Sequence, residues 1–170
     1  MRNLIYAVVL ILSGCAYSVK TNVLGHLKTI TIATFENQTD EFGLEEDLLN
    51  YLASRFSAKN LKSVTIDPDC IINGRIVSYE DKIYEYDSND DVKSYQIKIV
   101  FAVEFLDLVK NDELLNENKM SYSELYTIGT DEPAIELKLN SDSDQEKKRV
   151  QQEIFKDFFE DIDERSFEVW

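Results

Sequence analysis

Tyr95-Gln96-Ile97-Lys98-Ile99-Val100-Phe101-Ala102-Val103-Glu104-Phe105 sets Tyr95, Ile97, Ile99, Phe101, Val103 and Phe105 at every second position. A strand sends alternate side chains to opposite faces, so this row belongs to a core. The intervening row, Ser94, Gln96, Lys98, Val100, Ala102 and Glu104, belongs to a face that is open or lightly covered. The same strand extends over Val92–Lys110. A second long strand, Cys70–Tyr86, precedes it across the polar turn Asp87-Ser88-Asn89-Asp90-Asp91. Their lengths predict a protruding hairpin. A turn near Asn111-Asp112 leads into a further strand, roughly Leu114–Thr127, with Met120, Tyr122 and Tyr126 on one side.

Upstream of the hairpin, Leu27–Phe35 alternates threonines with Ile30 and Ile32, a half-buried strand pattern. Phe35–Asp40 breaks that pattern as a turn, where Thr39 or Asp40 is placed to cap a helix. From Phe42 to Lys59, Leu44, Leu48, Leu52 and Phe56 recur every fourth residue and Leu49 widens the stripe, predicting one apolar helix face. Glu41, Glu45, Glu46 and Asp47 crowd its start and Arg55 and Lys59 its end, matching the helix dipole. Leu61–Ile66 reads as a strand and Asp67-Pro68-Asp69 as a turn, so strand, helix and strand predict a parallel pair with a right-handed crossover. At the far end, Gly129–Asp144 is acidic and irregular around Pro133. Gln145–Trp170 then places Val150, Ile154, Phe158 and Ile162 on one helical face beside Phe155 and Phe159, a helix expected to lie on the sheet.

The N-terminus carries a different signal. Arg2 precedes the apolar run Leu4–Leu12, which is too short for a bilayer span and suited to a signal peptide. Leu12-Ser13-Gly14-Cys15 then offers small residues for cleavage and a thiol for acylation. The expected organisation is a signal peptide over 1–14, a lipid-anchored tether over 15–25 beginning at lipidated Cys15, and one α/β domain over 26–170. Ala16 stands where inner-membrane retention would call for aspartate, so the expected location is the periplasmic side of the outer membrane. The chain holds 18 basic and 33 acidic residues for a net charge of −15. That balance disfavours nucleic acid as a partner and leaves the acyl chains at Cys15 to hold the membrane. Cys70, with Cys15 alkylated, has no intrachain partner and reads as a small buried hydrophobe.

The residues that usually carry chemistry are sparse. His26, the single histidine, has no cysteine or carboxylate at metal-ligand spacing, and no phosphate loop, nucleophile elbow or zinc-protease helix occurs. The reading is a non-enzymatic protein without cofactor or metal. Two groups remain as candidate contacts. If Ile76 and Ile97 face the helices, Arg75, Lys98 and Lys119 share the opposite sheet face, as a contact for a phosphorylated amphiphile such as lipopolysaccharide. The plainer reading pairs these cations with Glu104 or Glu117. Tyr79, Tyr84, Tyr86 and Tyr95 gather toward the hairpin tip, where tyrosines either rest on a partner protein or pair across strands.

Several segments together resemble the LptE family of lipopolysaccharide-assembly lipoproteins. They are Cys15-Ala16-Tyr17-Ser18, His26-Leu27-Lys28-Thr29-Ile30, Thr34-Phe35-Glu36-Asn37-Gln38-Thr39, Gly43-Leu44-Glu45-Glu46-Asp47-Leu48, Gly74-Arg75-Ile76-Val77-Ser78-Tyr79 and Val103-Glu104-Phe105-Leu106-Asp107. The resemblance implies an α+β fold, a two-layer α/β sandwich with two helices packed on one face of a mixed sheet. Four to five strands in the order β-α-β-β-β-(β)-α are expected. It also implies a plug inside an outer-membrane β-barrel of the LptD type, assisting barrel assembly and lipopolysaccharide delivery to the cell surface. The alternative is a lipid-tethered periplasmic interaction module that recruits a cell-wall enzyme or a secretion assembly.

Overall fold

The computed structural model describes residues 25–127 and 136–167, with only the backbone described for 136–142. Eight elements follow in chain order. They are β1 (Thr29–Ile32), β2 (Glu36–Asn37), α1 (Leu44–Ala58), β3 (Lys62–Ser63), β4 (Cys70–Tyr86), β5 (Val92–Asp107), β6 (Asp112–Tyr126) and α2 (Glu136–Phe167). The sheet order is β3-β1-β4-β5-β6, with β2 added alongside β4. β1 runs parallel to β3 and β4, and β4, β5 and β6 are antiparallel neighbours, so the sheet is mixed. Six strands form where four to five were expected. The extra one is β2, inside the segment read as a turn, where Glu36 and Asn37 pair with Arg75 and Ile76. A two-residue strand is too short to show any periodicity.

Both helices cover one face. Leu44, Leu48, Leu52 and Phe56 of α1 and Val150, Ile154, Phe155, Phe158, Phe159 and Ile162 of α2 are buried against Ile72, Ile76, Ile97, Ile99, Phe101, Val103 and Phe105 of the sheet. The core is unusually aromatic. Phe101 stacks on Phe158 at 4.3 Å, Phe35 meets the Phe158 edge at 6.1 Å, and Phe56 bridges to Phe105 and Phe159 at 5.9 and 5.2 Å. Such offset and edge contacts add about 0.5–1.5 kcal/mol each beyond burial. Gly74 permits this packing, since a Cβ there would lie 2.2 Å from the Ala102 carbonyl oxygen and 2.6 Å from the Phe35 ring.

Two local expectations are corrected. Neither Thr39 nor Asp40 caps α1; the cap is Gly43 in the left-handed region at φ 84°. Asn37 organises the approach instead. Its amide donates to the Glu41 carbonyl and the Glu45 carboxylate at 2.8 Å each, and its oxygen accepts from the Thr39 amide and hydroxyl. The last helix begins at Glu136, so part of the segment read as irregular is helical. Charge and serine do not forbid a helix, and the formers Leu137, Lys138 and Leu139 follow Pro133 closely. The signal peptide, Cys15, the tether up to residue 24, Pro133 and Trp170 lie outside the described residues.

Candidate interaction surfaces

Strand length gives the molecule two ends. β4 has 17 residues, about 55 Å at the usual rise per residue. At one end the described chain begins, and the β1, β3 and β4 starts meet the β5–β6 turn. At the other is the hairpin turn 87–91. The first end is held by two carboxylates, Asp107 buried and Asp69 half-buried. His26 Nε2 lies 2.5 Å from the Asp107 carboxylate, which is 1% exposed and also accepts the Val109 and Lys110 amides at 2.9 Å each. Burial works to raise the Asp107 carboxyl, and the Lys110 amide, His26 and the Val109 amide outweigh it, leaving it below the ordinary aspartate range. Asp69 accepts the Lys28 and Thr29 amides at 2.7 and 2.9 Å, and those two bonds hold its carboxyl low as well. Cys70 is fully buried, and burial, aided by Asp69 and Asp107, pushes its thiol up to about 12.

The bare sheet face carries the cations. Ile76 and Ile97 are fully buried on the helix side, so Arg75 and Lys98 point to the opposite face, both exposed. Arg75 sits opposite Ala102, and the β6 bulge holding Asn118 and Lys119 lies across from the same Ala102. The sheet therefore brings Arg75 and Lys119 into one cross-strand row. Lys98 stands four residues along β5 from Ala102, about 13 Å away, directly opposite Glu80. The Glu80 carboxyl is held low, first by Lys82, which it meets at 2.7 Å, and then by Lys98. Neither proposed acidic partner engages these cations: Glu117 turns to the helix side and bonds Arg165, and Glu104 accepts the Asn73 amide at 3.1 Å. Beside Arg75, a polar depression of about 220 Å³ is lined by Asn73, Glu104, Asn116 and Asn118.

The tyrosines separate. An extra residue in β4, Val77, shifts the register between Ile76 and Ser78, so Tyr79 pairs with Ile99 and turns to the helix side. There it is partly buried, and its hydroxyl accepts from Gln151 at 3.4 Å. Its pairing with Ile99 is also well short of the 87–91 turn, so Tyr79 is not at the hairpin tip. Tyr95 stacks on Tyr126 at 5.2 Å, and the Tyr126 hydroxyl donates to Asp81, which Lys147 meets at 2.7 Å. Tyr84 and Tyr86 do reach the tip, 59% and 56% exposed. Two features escaped sequence reading. His26 and Asp107 are 81 residues apart, beyond any local spacing. Bulges carry no signal in a hydrophobic period until the paired strand is known.

Among the described residues no helix is long and apolar enough to cross a membrane, and no three of His, Cys, Asp and Glu converge as a metal site. No curated protein sequence matches the chain. Solved structures share the fold. Lipoprotein B from Nitrosomonas europaea aligns with a TM-score of 0.51 and 17% identity, over 82% of this chain and 83% of that one. Rare lipoprotein B from Shewanella oneidensis gives 0.51 and 14%, over 79% and 92%. A hypothetical protein from Chlamydia trachomatis gives 0.54 and 9%, over 82% and 98%. Residues 27–165, from the strand that His26 pins to the last turn of α2, match the profile described as LptE: Lipopolysaccharide-assembly, and the chain belongs to that family.

Proposed function

We propose that this chain is a non-catalytic outer-membrane lipoprotein, acylated at Cys15 after removal of residues 1–14, that docks into an outer-membrane barrel of the LptD type. In this reading it assists barrel assembly and lipopolysaccharide delivery to the cell surface. The observation that carries it is the family match over residues 27–165, on a domain whose sheet, among the described residues, leaves one long face free of helices. A barrel lumen is polar, and that face offers Asn73, Gln96, Glu104, Asn116 and Ser121 around the small apolar pair Val100 and Ala102. The non-catalytic reading is supported by what the usual reactive residues do: His26 is bound to Asp107, and the Cys70 thiol is buried and raised to about 12. Tyr84 and Tyr86 are the tip residues proposed to meet the barrel protein. Arg75 and Lys119, with Lys98 further along, are the proposed lipopolysaccharide contacts.

The test is co-purification of the full chain from detergent-solubilised outer membrane. The expected co-purifying protein is a large β-barrel. Recovery of a cell-wall synthase or a secretion component in its place would favour the recruiting-module alternative. Arg75→Glu with Lys98→Glu is expected to impair lipopolysaccharide transfer while barrel association persists. Unchanged outer-membrane permeability in that double variant removes the ligand claim.

A further inference from the structure

The end of the domain from which the described chain starts carries exposed apolar side chains on two turns that are bonded to each other. The segment between β3 and β4 and the turn between β5 and β6 are joined by the Leu108 amide, which donates to the Asp69 carbonyl at 2.8 Å. On these two turns Ile66 is 79% exposed, Val109 59% and Leu108 47%. Single exposed apolar residues are ordinary on a protein surface, but here three fall on two turns that one backbone bond holds side by side. The backbone of the β5–β6 turn and of the start of β4 is already satisfied. The amides of Val109 and Lys110 bond Asp107, that of Asp69 bonds the Thr29 hydroxyl, and those of Lys28 and Thr29 bond the Asp69 carboxylate. A surface whose amides are satisfied internally can enter a poorly hydrated layer without the cost of stripping them bare.

Lys28, Lys62 and Lys110 flank the patch. All three are exposed, and none forms an ion pair among the described residues; Lys62 and Lys28 are adjacent through a 2.9 Å backbone bond. Their stems can lie along apolar surface with the ammonium groups reaching outward. The acids nearby are divided. Asp69 and Asp107 are committed to amides, while Asp67, Asp112 and Glu113 are exposed. A surface of both signs around an apolar centre matches zwitterionic headgroups, which present phosphate and ammonium together. The covalent chain points to the same partner. Cys15 is ten residues from Gly25, at most about 35 Å of extended chain, and His26 is fixed beside the Val109 turn through Asp107.

We propose that Ile66, Leu108 and Val109, ringed by Lys28, Lys62 and Lys110, form a seat on the phospholipid headgroup layer, so that the tethered end of the domain rests at headgroup depth. This rests on the reading of Cys15 as the acylated anchor. The test uses the full acylated chain in vesicles of phosphatidylethanolamine and phosphatidylglycerol containing lipid brominated on the acyl chains. Trp170→Phe removes the native reporter, and Val109→Trp or Tyr86→Trp supplies one at either end. The Val109→Trp emission is expected to shift blue and lose at least half its intensity, as a side chain buried about 5–10 Å into the interface would. The Tyr86→Trp emission should stay as it is without bromine. Adding Ile66→Asp and Leu108→Asp to the Val109→Trp variant should abolish the quenching, with circular dichroism unchanged because both positions are exposed. Mass spectrometry of the same sample separates the possible failures. Acylated protein with an unquenched Val109→Trp reporter overturns the seat alone, whereas a bare Cys15 thiol overturns the anchor and the seat together.

Discussion

The lower half of β4, Cys70–Ile76, and the upper half, Ser78–Tyr86, are one continuous strand in two different environments. Below, β4 has β1 and β2 on one side and β5 on the other, with Cys70, Ile72 and Ile76 fully buried under both helices. Above, β5 is its only described strand neighbour, and Ile83, Tyr84 and Tyr86 are 44%, 59% and 56% exposed. The change falls at the Val77 bulge, which hands the helix-facing role from Ile76 to Tyr79. Below the bulge an all-apolar face makes the stability. Above it, polar contacts such as Tyr79–Gln151 and Asp81–Lys147 carry the attachment to α2. Local stability follows buried apolar contact, so the lower half should open only on global unfolding and the upper half well before it.

The largest expected effect tests the lower half. In Gly74→Ala the new Cβ meets a backbone oxygen at 2.2 Å and the Phe35 ring at 2.6 Å. Neither is the movable end of a flexible side chain, so β4 must separate from β5 or Phe35 must leave its contact with Phe158. Overpacking of this kind costs about 1–3 kcal/mol, and a clash with backbone falls at the upper end. Chemical denaturation should show the midpoint falling accordingly. A change under about 0.5 kcal/mol, typical of an exposed site, would mean that the close approach is not a real constraint.

A smaller effect comes from the carboxylates at the end where the described chain begins. Asp107 and Asp69 are held below the ordinary aspartate value in the folded protein. Groups depressed on folding contribute stability in full above their unfolded value, about 3.9, and lose it as pH falls through the lower folded value. Stability measured in urea should therefore decline below about pH 4. Glu80 on the hairpin is lowered too, but it is exposed and solvent screens its share. Asp107→Asn keeps the shape of the side chain, loses the charge and weakens the bonds to Val109, Lys110 and His26. It should lower neutral-pH stability and flatten the acid slope, and an unaltered slope would place the acid sensitivity elsewhere.

The same division explains what could be read in advance. The hairpin, both amphipathic helices and the mixed sheet were readable because long apolar periods face a single core. Leu44 to Phe56, Tyr95 to Phe105 and Val150 to Ile162 each announce one buried face. β2 was not readable because it depends on partners far along the chain, Arg75 and Ile76, and the Gly43 cap was not because it is a left-handed backbone turn with no capping side chain. The candidate contacts divide similarly. Arg75 and Lys98 were placed correctly on the bare face by pleat alternation from Ile76 and Ile97. Tyr79 was misplaced along the strand: it pairs with Ile99 well short of the 87–91 turn, and the inserted Val77 puts it on the helix side.

The smallest effect on stability belongs to the tip and gives the sharpest contrast with Gly74. Tyr84 falls at a second register shift, between Ile83 and Glu85, and Tyr86 pairs with Val92 just before the turn. Neither ring appears among the aromatic contacts of the core, and the turn is held by Asp87, whose carboxylate accepts the Asn89 and Asp91 amides at 2.7 and 3.0 Å. Tyr84→Ser with Tyr86→Ser should therefore shift the unfolding free energy by about 0.5 kcal/mol or less per site. If these rings meet the barrel, the same double variant should lose co-purification while its denaturation curve stays close to that of the parent. Large rigid aromatics at a protein interface contribute far more to binding than to the free domain. Retained co-purification with an unaltered curve would move the docking surface off the tip and onto the bare sheet face around Arg75.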